Sequence, residues 1–180
     1  GPDGIPYRAW YNMADTAAEF LHPVLLALAK GETPPAAFNL ADLYLLPKVP
    51  AANDPSQSRP ISVTNTDNRL IATAIKIALE KVTDNWLLRA QNGFVQGRNI
   101  DDNIRTFSKL FYEAQAERKA KYLLLIDFKK AYDSINHDFI KEHLAHCKFP
   151  PWVINTISGL LARVRARLTL NGSDFVYIDI

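Results

Sequence analysis

The sequence has few of the residues that build cysteine- or histidine-rich sites. Cys147 is the only cysteine among 180 residues, which excludes an intrachain disulfide and a cysteine-rich zinc site. Four histidines are present, but none lies in an HExxH pattern. The spacing of His143 and His146 fits a solvated helix face better than a metal site. The composition is compatible with a reducing compartment, so an intracellular location is predicted.

Long hydrophobic runs and a strong excess of one charge are also lacking. The longest apolar candidate, Phe20–Ala29, is short and contains His22 and Pro23, so no membrane-spanning helix is predicted. No signal peptide is recognisable, and because the chain opens directly on GPDGIP we expect its natural N-terminus upstream. The formal net charge is only +2, but residues 59–121 hold 11 basic and 7 acidic side chains, a balance of +4. This segment is the best candidate for a phosphate-binding face.

The remaining composition is that of a globular protein with a sizeable core, because 48% of the residues are hydrophobic and 22% are charged. Apolar periodicity and turn residues divide the chain into mixed helices and strands. The patterns predict a helix over Tyr7–Lys30 interrupted near Pro23, strands Leu40–Lys48 and Arg59–Val63, helices Thr66–Ala90 and Asp101–Lys119, strand Tyr122–Asp127, helices His137–Cys147 and Trp152–Ala162, and strands Arg163–Leu170 and Asp174–Ile180 joined by a turn at Asn171-Gly172.

The segment Tyr122–Ile135, YLLLIDFKKAYDSI, is the most informative part of the chain. Its five apolar or aromatic residues before Asp127 predict a strand buried on both faces. A carboxylate at the end of such a strand needs a partner, because an unpaired buried charge is very costly. Two interpretations are open: Asp127 caps the next helix or pairs with Lys129 or Lys130, or it binds a metal ion.

Five motifs occur in one order along residues 1–135: GPDGIP, LYLLPK, RPISVTNTDNRLIA, QNGFVQGRNIDDNI and LLLIDFKKAYDSI. Together they resemble the reverse transcriptases of non-LTR retrotransposons, and more distantly those of group II intron maturases. The resemblance implies an α+β right-hand polymerase. Residues 1–120 would form fingers-like helices, a β-hairpin and the junction between fingers and palm. Residues 121–180 would form a partial palm, truncated before the second catalytic motif.

The resemblance implies roles for the residues around Asp127. Asp127 is the expected catalytic carboxylate, bridging two Mg²⁺ ions in the complete enzyme, and the backbone carbonyl of Phe128 assists. Tyr132 occupies the position of the steric gate, an aromatic ring that clashes with a ribose 2′-hydroxyl and selects deoxynucleotides. Phenylalanine is more usual there, and a core aromatic on a helix face is the structural alternative.

Four further residues are candidates for contacts with nucleotide or nucleic acid. The resemblance implies that Lys48 and Arg59, which flank the hairpin loop, bind the triphosphate of an incoming dNTP. It also makes Gln96 and Arg98 candidates for contact with the nucleic acid backbone. The structural alternatives are ordinary surface charges for the first two and a plain interhelix loop for the others.

Two motifs expected after Tyr132 are absent: an aromatic-x-Asp-Asp pair and the Gln-Gly motif before it. Asp101-Asp102 is not that pair, because it starts a predicted helix, where aspartate caps and complements the dipole. The chain alone is therefore predicted not to polymerise, although its parent would be an RNA-directed DNA polymerase.

The expected partners are an RNA template, a DNA primer, dNTPs and the rest of the polymerase chain. Self-association through an exposed sheet edge is also predicted, and sedimentation at several concentrations would detect it. A nuclear location is expected for a eukaryotic parent. The alternative function is a non-catalytic nucleic-acid-binding or scaffolding module with a polymerase-derived fold.

Overall fold

The structure is a computed structural model that describes residues 1–50, 54–83, 86–118, 120–132, 134–170 and 173–179. These ranges contain both helices and strands, as the sequence predicts. The elements are α1 (Tyr7–Asn12), α2 (Ala14–Ala29), β1 (Leu40–Pro47), a short 3₁₀ turn (Pro55–Gln57), β2 (Ser58–Thr64), α3 (Thr66–Thr83), α4 (Ile100–Ala116), α5 (His137–His146), α6 (Pro151–Leu161), β3 (Arg165–Leu170) and β4 (Ser173–Asp179).

The chain divides into two compact units, residues 1–73 with 135–180 and residues 74–134. Each unit is described by itself below. The first unit combines segments from both sides of the predicted boundary at residue 120. The assignment of fingers and palm stays a prediction.

The first unit is built around a four-stranded sheet with strand order β2-β1-β3-β4. β1 and β2 form the predicted antiparallel hairpin, with Ala41 opposite Thr64 at one end. β1 pairs in parallel with β3, which lies over a hundred residues further along the chain. β3 and β4 are antiparallel, with an irregularity between Leu168 and Thr169. The predicted turn at Asn171-Gly172 lies outside the described residues.

Apolar side chains from α2, α3, α6 and the segment before β1 form the core of this unit. Leu28, Phe38 and Ile71 are buried, and Leu160 packs against them. A Cβ added at Gly159 would lie 2.6 Å from Cδ2 of Leu28, so α6 approaches α2 too closely there for any larger residue to fit without a shift. The glycine therefore helps to set the spacing between these two helices.

A buried asparagine joins the start of β1 to α6 and α3. Asn39 is only 2% exposed. Its side-chain nitrogen donates to the backbone carbonyls of Gly159 at 2.8 Å and Ala162 at 2.6 Å, and its side-chain oxygen accepts from Asn68 at 2.8 Å. Because these buried polar groups bond one another across three elements, the contact helps to specify how the sheet docks on the helices.

The N-terminal segment is fixed to the start of α3. The side-chain oxygen of Asn65 accepts from the backbone N–H of Asp3 at 3.2 Å. The hydroxyl of Thr66 donates to the carbonyl of Ile5 at 2.9 Å and accepts from the indole N–H of Trp10 at 2.8 Å. The GPDGIP opening is therefore an ordered part of the first unit.

Most of the predicted helices and strands are confirmed, with shifts at their ends. The first helical segment breaks at Met13, however, and Pro23 lies inside α2. Pro23 and Glu19 are exposed, so water can satisfy the carbonyl that the proline cannot bond. The helix predicted to reach Ala90 ends at Thr83, and residues 84–85 lie outside the described ranges.

The predicted strand Tyr122–Asp127 is wrong. Residues 120–128 form no helix or strand, and their side chains are exposed, Tyr122 at 99%. An apolar strand needs neighbouring strands to bond its backbone and cover its faces. No strand in the described ranges pairs with this segment.

The described ranges include no helix that is long and apolar enough to cross a membrane.

Candidate functional site

Asp127 lies in the exposed segment 120–128 of the second unit, so it is not the buried acid that the predicted strand implied. Its carboxylate and the adjacent backbone carbonyl of Phe128 are hard oxygen donors, the type that Mg²⁺ prefers. The described residues include no group of three or more His, Cys, Asp or Glu side chains that could hold a metal ion. These two donors fit part of a Mg²⁺ site and would need further ligands to complete it.

Tyr132 follows Asp127 by five residues and lies in a turn. The backbone N–H of Ser134 donates to the carbonyl of Lys130 at 3.0 Å, which closes this turn. Tyr132 is 74% exposed, so the alternative of a core aromatic does not describe it here. Its ring meets the ring of Phe94 edge to face, with centroids 6.1 Å apart and planes at 88°.

The loop before α4 holds Gln96 and Arg98, the two candidates for backbone contact. The Arg98 guanidinium donates to the carbonyl of Leu88 at 2.6 Å and to that of Gln91 at 3.0 Å. Arg98 therefore stabilises the loop itself. Gln96 is exposed and lines a groove of about 400 Å³. The groove is lined by Ile77, Glu80, Lys81, Thr83, Leu87, Phe94, Val95 and Gln96.

Lys48 follows directly after β1, at the mouth of the hairpin loop in the first unit. Its ammonium donates to the carbonyl of Ser56 at 3.2 Å, and its backbone N–H donates to the carbonyl of Gln57 at 2.8 Å. The backbone N–H of Ser56 donates to Oδ1 of Asp54 at 2.8 Å, and this hydrogen bond holds the pKa of Asp54 below its usual value. These contacts order the described part of the loop.

Arg59 lies on β2, opposite Leu46 of β1, and is exposed. No acidic side chain among the described residues pairs with it. Two other arginines of the same sheet are paired. Arg167 binds Asp42 at 2.7 Å, and Arg165 binds Asp179 at 2.9 Å. Arg59 is thus the arginine of this sheet that remains available for a phosphate.

The structure brings the candidates together in two groups. Lys48 and Arg59 share the hairpin of the first unit, whereas Asp127, Phe128, Tyr132, Gln96 and Arg98 belong to the second unit. Within the second unit, Phe94 links the loop of Gln96 and Arg98 to Tyr132. Sequence reasoning did not single out Phe94; the available signal was an aromatic residue in a glycine-punctuated polar loop.

The acidic pair Asp101-Asp102 lies in the first turn of a helix, as predicted, but the capping side chain is that of Asn99. α4 begins at Ile100, and the side chain of Asn99 accepts a hydrogen bond from the backbone N–H of Asp101 at 3.1 Å. Asp102 lies 3.4 Å from Arg105 of the same helix. Both carboxylates are exposed, in the first turn, where they complement the helix dipole.

Two of the three histidines of α5 are surface residues. His143 and His146 are exposed. His143 stacks on Phe139, and its Nε2 lies 3.6 Å from Sγ of Cys147. This exposure agrees with the predicted solvated helix face.

The chain belongs to the reverse transcriptase (RNA-dependent DNA polymerase) family, which it matches over residues 46–177. It is 29% identical over 174 residues to the transposon TX1 uncharacterized 149 kDa protein of Xenopus laevis, covering 96% of this chain and 13% of that protein. It is 28% identical over 169 residues to the retrovirus-related Pol polyprotein from type-1 retrotransposable element R2 of Nasonia vitripennis, covering 93% of this chain and 16% of that protein.

A further relative is the retrovirus-related Pol polyprotein from type-2 retrotransposable element R2DM of Drosophila melanogaster. It is 28% identical over 167 residues, covering 88% of this chain and 15% of that protein. These relatives confirm the predicted resemblance to reverse transcriptases of non-LTR retrotransposons, and the mixed helices and sheet confirm the predicted α+β class. The chain spans only a small part of the length of the relatives that it matches.

Proposed function

We propose that this chain is the fingers and the first part of the palm of an RNA-directed DNA polymerase. The parent enzyme would add deoxynucleotides to a primer 3′-hydroxyl, copying an RNA template. The observation that carries the proposal is the family match over residues 46–177, which includes both Arg59 and Asp127. The exposed carboxylate of Asp127 supports it, and so does the guanidinium of Arg59, which pairs with no acidic side chain in the described ranges.

The proposed reaction is a two-metal phosphoryl transfer. When bound, Mg²⁺ would lower the pKa of the primer hydroxyl and neutralise the charge on the leaving pyrophosphate. Asp127 and the carbonyl of Phe128 would supply oxygen ligands from this chain. The remaining carboxylates would come from other parts of the parent polymerase, as would part of the surface for template and primer.

Tyr132 is the proposed steric gate for the sugar. Its ring is exposed and therefore accessible to a nucleotide. An aromatic ring under the sugar leaves no room for a 2′-hydroxyl, so deoxynucleotides would be preferred by exclusion. Ribonucleotide incorporation by a Tyr132→Val parent enzyme tests this role.

Arg59 is the proposed contact for the incoming triphosphate, with Lys48 as a second charge on the same hairpin. Replacing Arg59 by alanine in the parent polymerase is expected to raise KM for dNTPs about 10- to 100-fold, because charge-assisted hydrogen bonds contribute about 1.5–3 kcal/mol. The KM of Arg59→Lys should lie between those of the wild type and Arg59→Ala, since lysine keeps the charge and loses the bidentate geometry. Steady-state kinetics with one varied dNTP measures the effect.

Arg105→Ala is the matched control, because Arg105 is a surface arginine whose described ion pair is with its own helix. It should leave KM unchanged. If Arg59→Ala also leaves KM for dNTPs unchanged, Arg59 is an ordinary surface charge.

The isolated chain of 180 residues is expected not to extend a primer. The physical reason is that Asp127 alone cannot hold two Mg²⁺ ions in the geometry that the transfer requires. The measurement is extension of a labelled DNA primer on an RNA template with Mg²⁺ and dNTPs, run beside the full-length parent. Robust extension by the isolated chain would contradict the prediction, and an inactive parent would contradict the proposed function.

A non-catalytic nucleic-acid-binding or scaffolding module is the second candidate function. The lack of a complete carboxylate cluster in the described residues favours it for the isolated chain. In that case the parent would bind RNA or an RNA–DNA duplex with salt-dependent affinity and would not polymerise. The exposed apolar segment 122–126 supports the expectation that the isolated chain self-associates.

A further inference from the structure

Phe94 has an unfavourable backbone conformation, although its side chain is not packed in the core of its unit. Its φ is 61°, in the left-handed region that disfavours residues with a bulky side chain. Its side chain is 91% exposed, so hydrophobic burial does not offset this backbone strain. Strained backbone that persists without a packing reason is found most often at functional sites.

The surrounding loop is ordered well enough to present this ring in one place. Arg98 bonds the carbonyls of Leu88 and Gln91. The side chain of Asn92, which is buried, donates to the side-chain oxygen of Asn103 on α4 at 2.6 Å. The bonds of Arg98 join the two sides of the loop around Phe94, and the bond of Asn92 anchors the loop to α4.

The ring that Phe94 meets is Tyr132. The edge-to-face geometry, with 6.1 Å between centroids and 88° between planes, is the favourable arrangement for two aromatic rings. No other described residue holds the Tyr132 side chain through a ring contact or a hydrogen bond. Without Phe94, this exposed side chain could rotate among several rotamers.

We propose that Phe94 is a positioning residue that fixes the rotamer of Tyr132 and thereby sharpens discrimination between deoxyribose and ribose. This inference rests on the proposed role of Tyr132 as the steric gate. Exclusion by a clash requires a ring that cannot move aside. Phe94 supplies a neighbour that makes one orientation of the tyrosine preferable to the others.

The test measures kcat/KM for a dNTP and for the matching rNTP in the full-length parent polymerase. Phe94→Gly removes the ring and suits the positive φ, so this variant should fold. The expected result is a fall of about 2- to 10-fold in the dNTP/rNTP ratio, the range given by the strength of an aromatic pair. Phe94→Tyr should keep the ratio, and Val95→Ala is the matched control in the same loop.

Tyr132→Val distinguishes failure of the inference from failure of the gate. If Tyr132→Val leaves the dNTP/rNTP ratio unchanged, the gate assignment is wrong and the inference falls with it. If Tyr132→Val lowers the ratio and Phe94→Gly does not, the gate stands and the role of Phe94 is overturned. If Phe94→Gly lowers kcat/KM equally for the dNTP and the rNTP, the proposed role of Phe94 is also overturned. In the double variant Phe94→Gly/Tyr132→Val, the dNTP/rNTP ratio should equal that of Tyr132→Val alone.

Discussion

Replacing Asp127 by asparagine in the parent polymerase is expected to abolish primer extension, with a loss of at least about 10³-fold in kcat. The amide removes one negative charge and one hard anionic oxygen from the proposed metal ligand without changing the size of the side chain. Because Asp127 is exposed, the substitution should not disturb the fold. Primer extension under saturating dNTP, with circular dichroism of the isolated chain before and after the change, measures both effects.

Asp101→Asn is the matched control for Asp127→Asn. Asp101 is also exposed and also carries one charge, but it lies in the first turn of α4 beside the cap residue Asn99. Its replacement should change primer extension by less than about twofold, since surface substitutions of this kind are usually within about 0.5 kcal/mol. Wild-type activity in Asp127→Asn would show that Asp127 is not a catalytic residue.

Replacing Asn39 by leucine is expected to lower the free energy of unfolding of the chain by about 4 kcal/mol. Leucine has the same branching and the same number of side-chain heavy atoms, although it is bulkier, and it cannot bond the carbonyls of Gly159 and Ala162 or the amide of Asn68. Asn68 would keep its bond to the carbonyl of Phe38, and the Gly159 carbonyl its bond from the N–H of Ala162, but each of the three groups would lose one partner. A lost partner at a buried position costs about 1–3 kcal/mol. Urea denaturation followed by circular dichroism at equal protein concentration measures the change.

Asn12→Leu provides the comparison for Asn39→Leu, because Asn12 is exposed at the end of α1. It should shift the free energy of unfolding by no more than about 0.5 kcal/mol. A shift of similar size at both positions would mean that the Asn39 hydrogen bonds do not stabilise the docking of β1.

Local patterns predicted those parts of the fold that depend on local interactions. The hairpin of β1 and β2 follows from two short apolar segments with a polar loop between them, and α4 follows from its apolar spacing. The parallel pairing of β1 with β3 was not predictable, because its register is set by residues far apart in the chain, such as Asp42 and Arg167. The burial and hydrogen bonds of Asn39 could not be predicted either, since an asparagine before a strand is usually exposed.

The same reasoning explains the error at Tyr122–Asp127. An apolar run predicts burial, but burial needs a covering surface, and none of the described strands supplies it. The residues of the candidate site were identified by resemblance to a family, not by any period in the sequence. Phe94 was not identified from the sequence because a loop has no hydrophobic periodicity. Its distinguishing feature is its positive φ, which cannot be read from a sequence.

The parallel pairing of β1 with β3 has a consequence for synthesis on the ribosome. β1 and β2 leave the ribosome long before Arg165, so one edge of β1 stays without its strand partner while roughly a hundred further residues are made. Until β3 arrives, Asp42 lacks the arginine that neutralises it. The nascent chain therefore passes through a period in which β1 offers an open strand edge, a state in which chaperones or a neighbouring nascent chain would compete with β3.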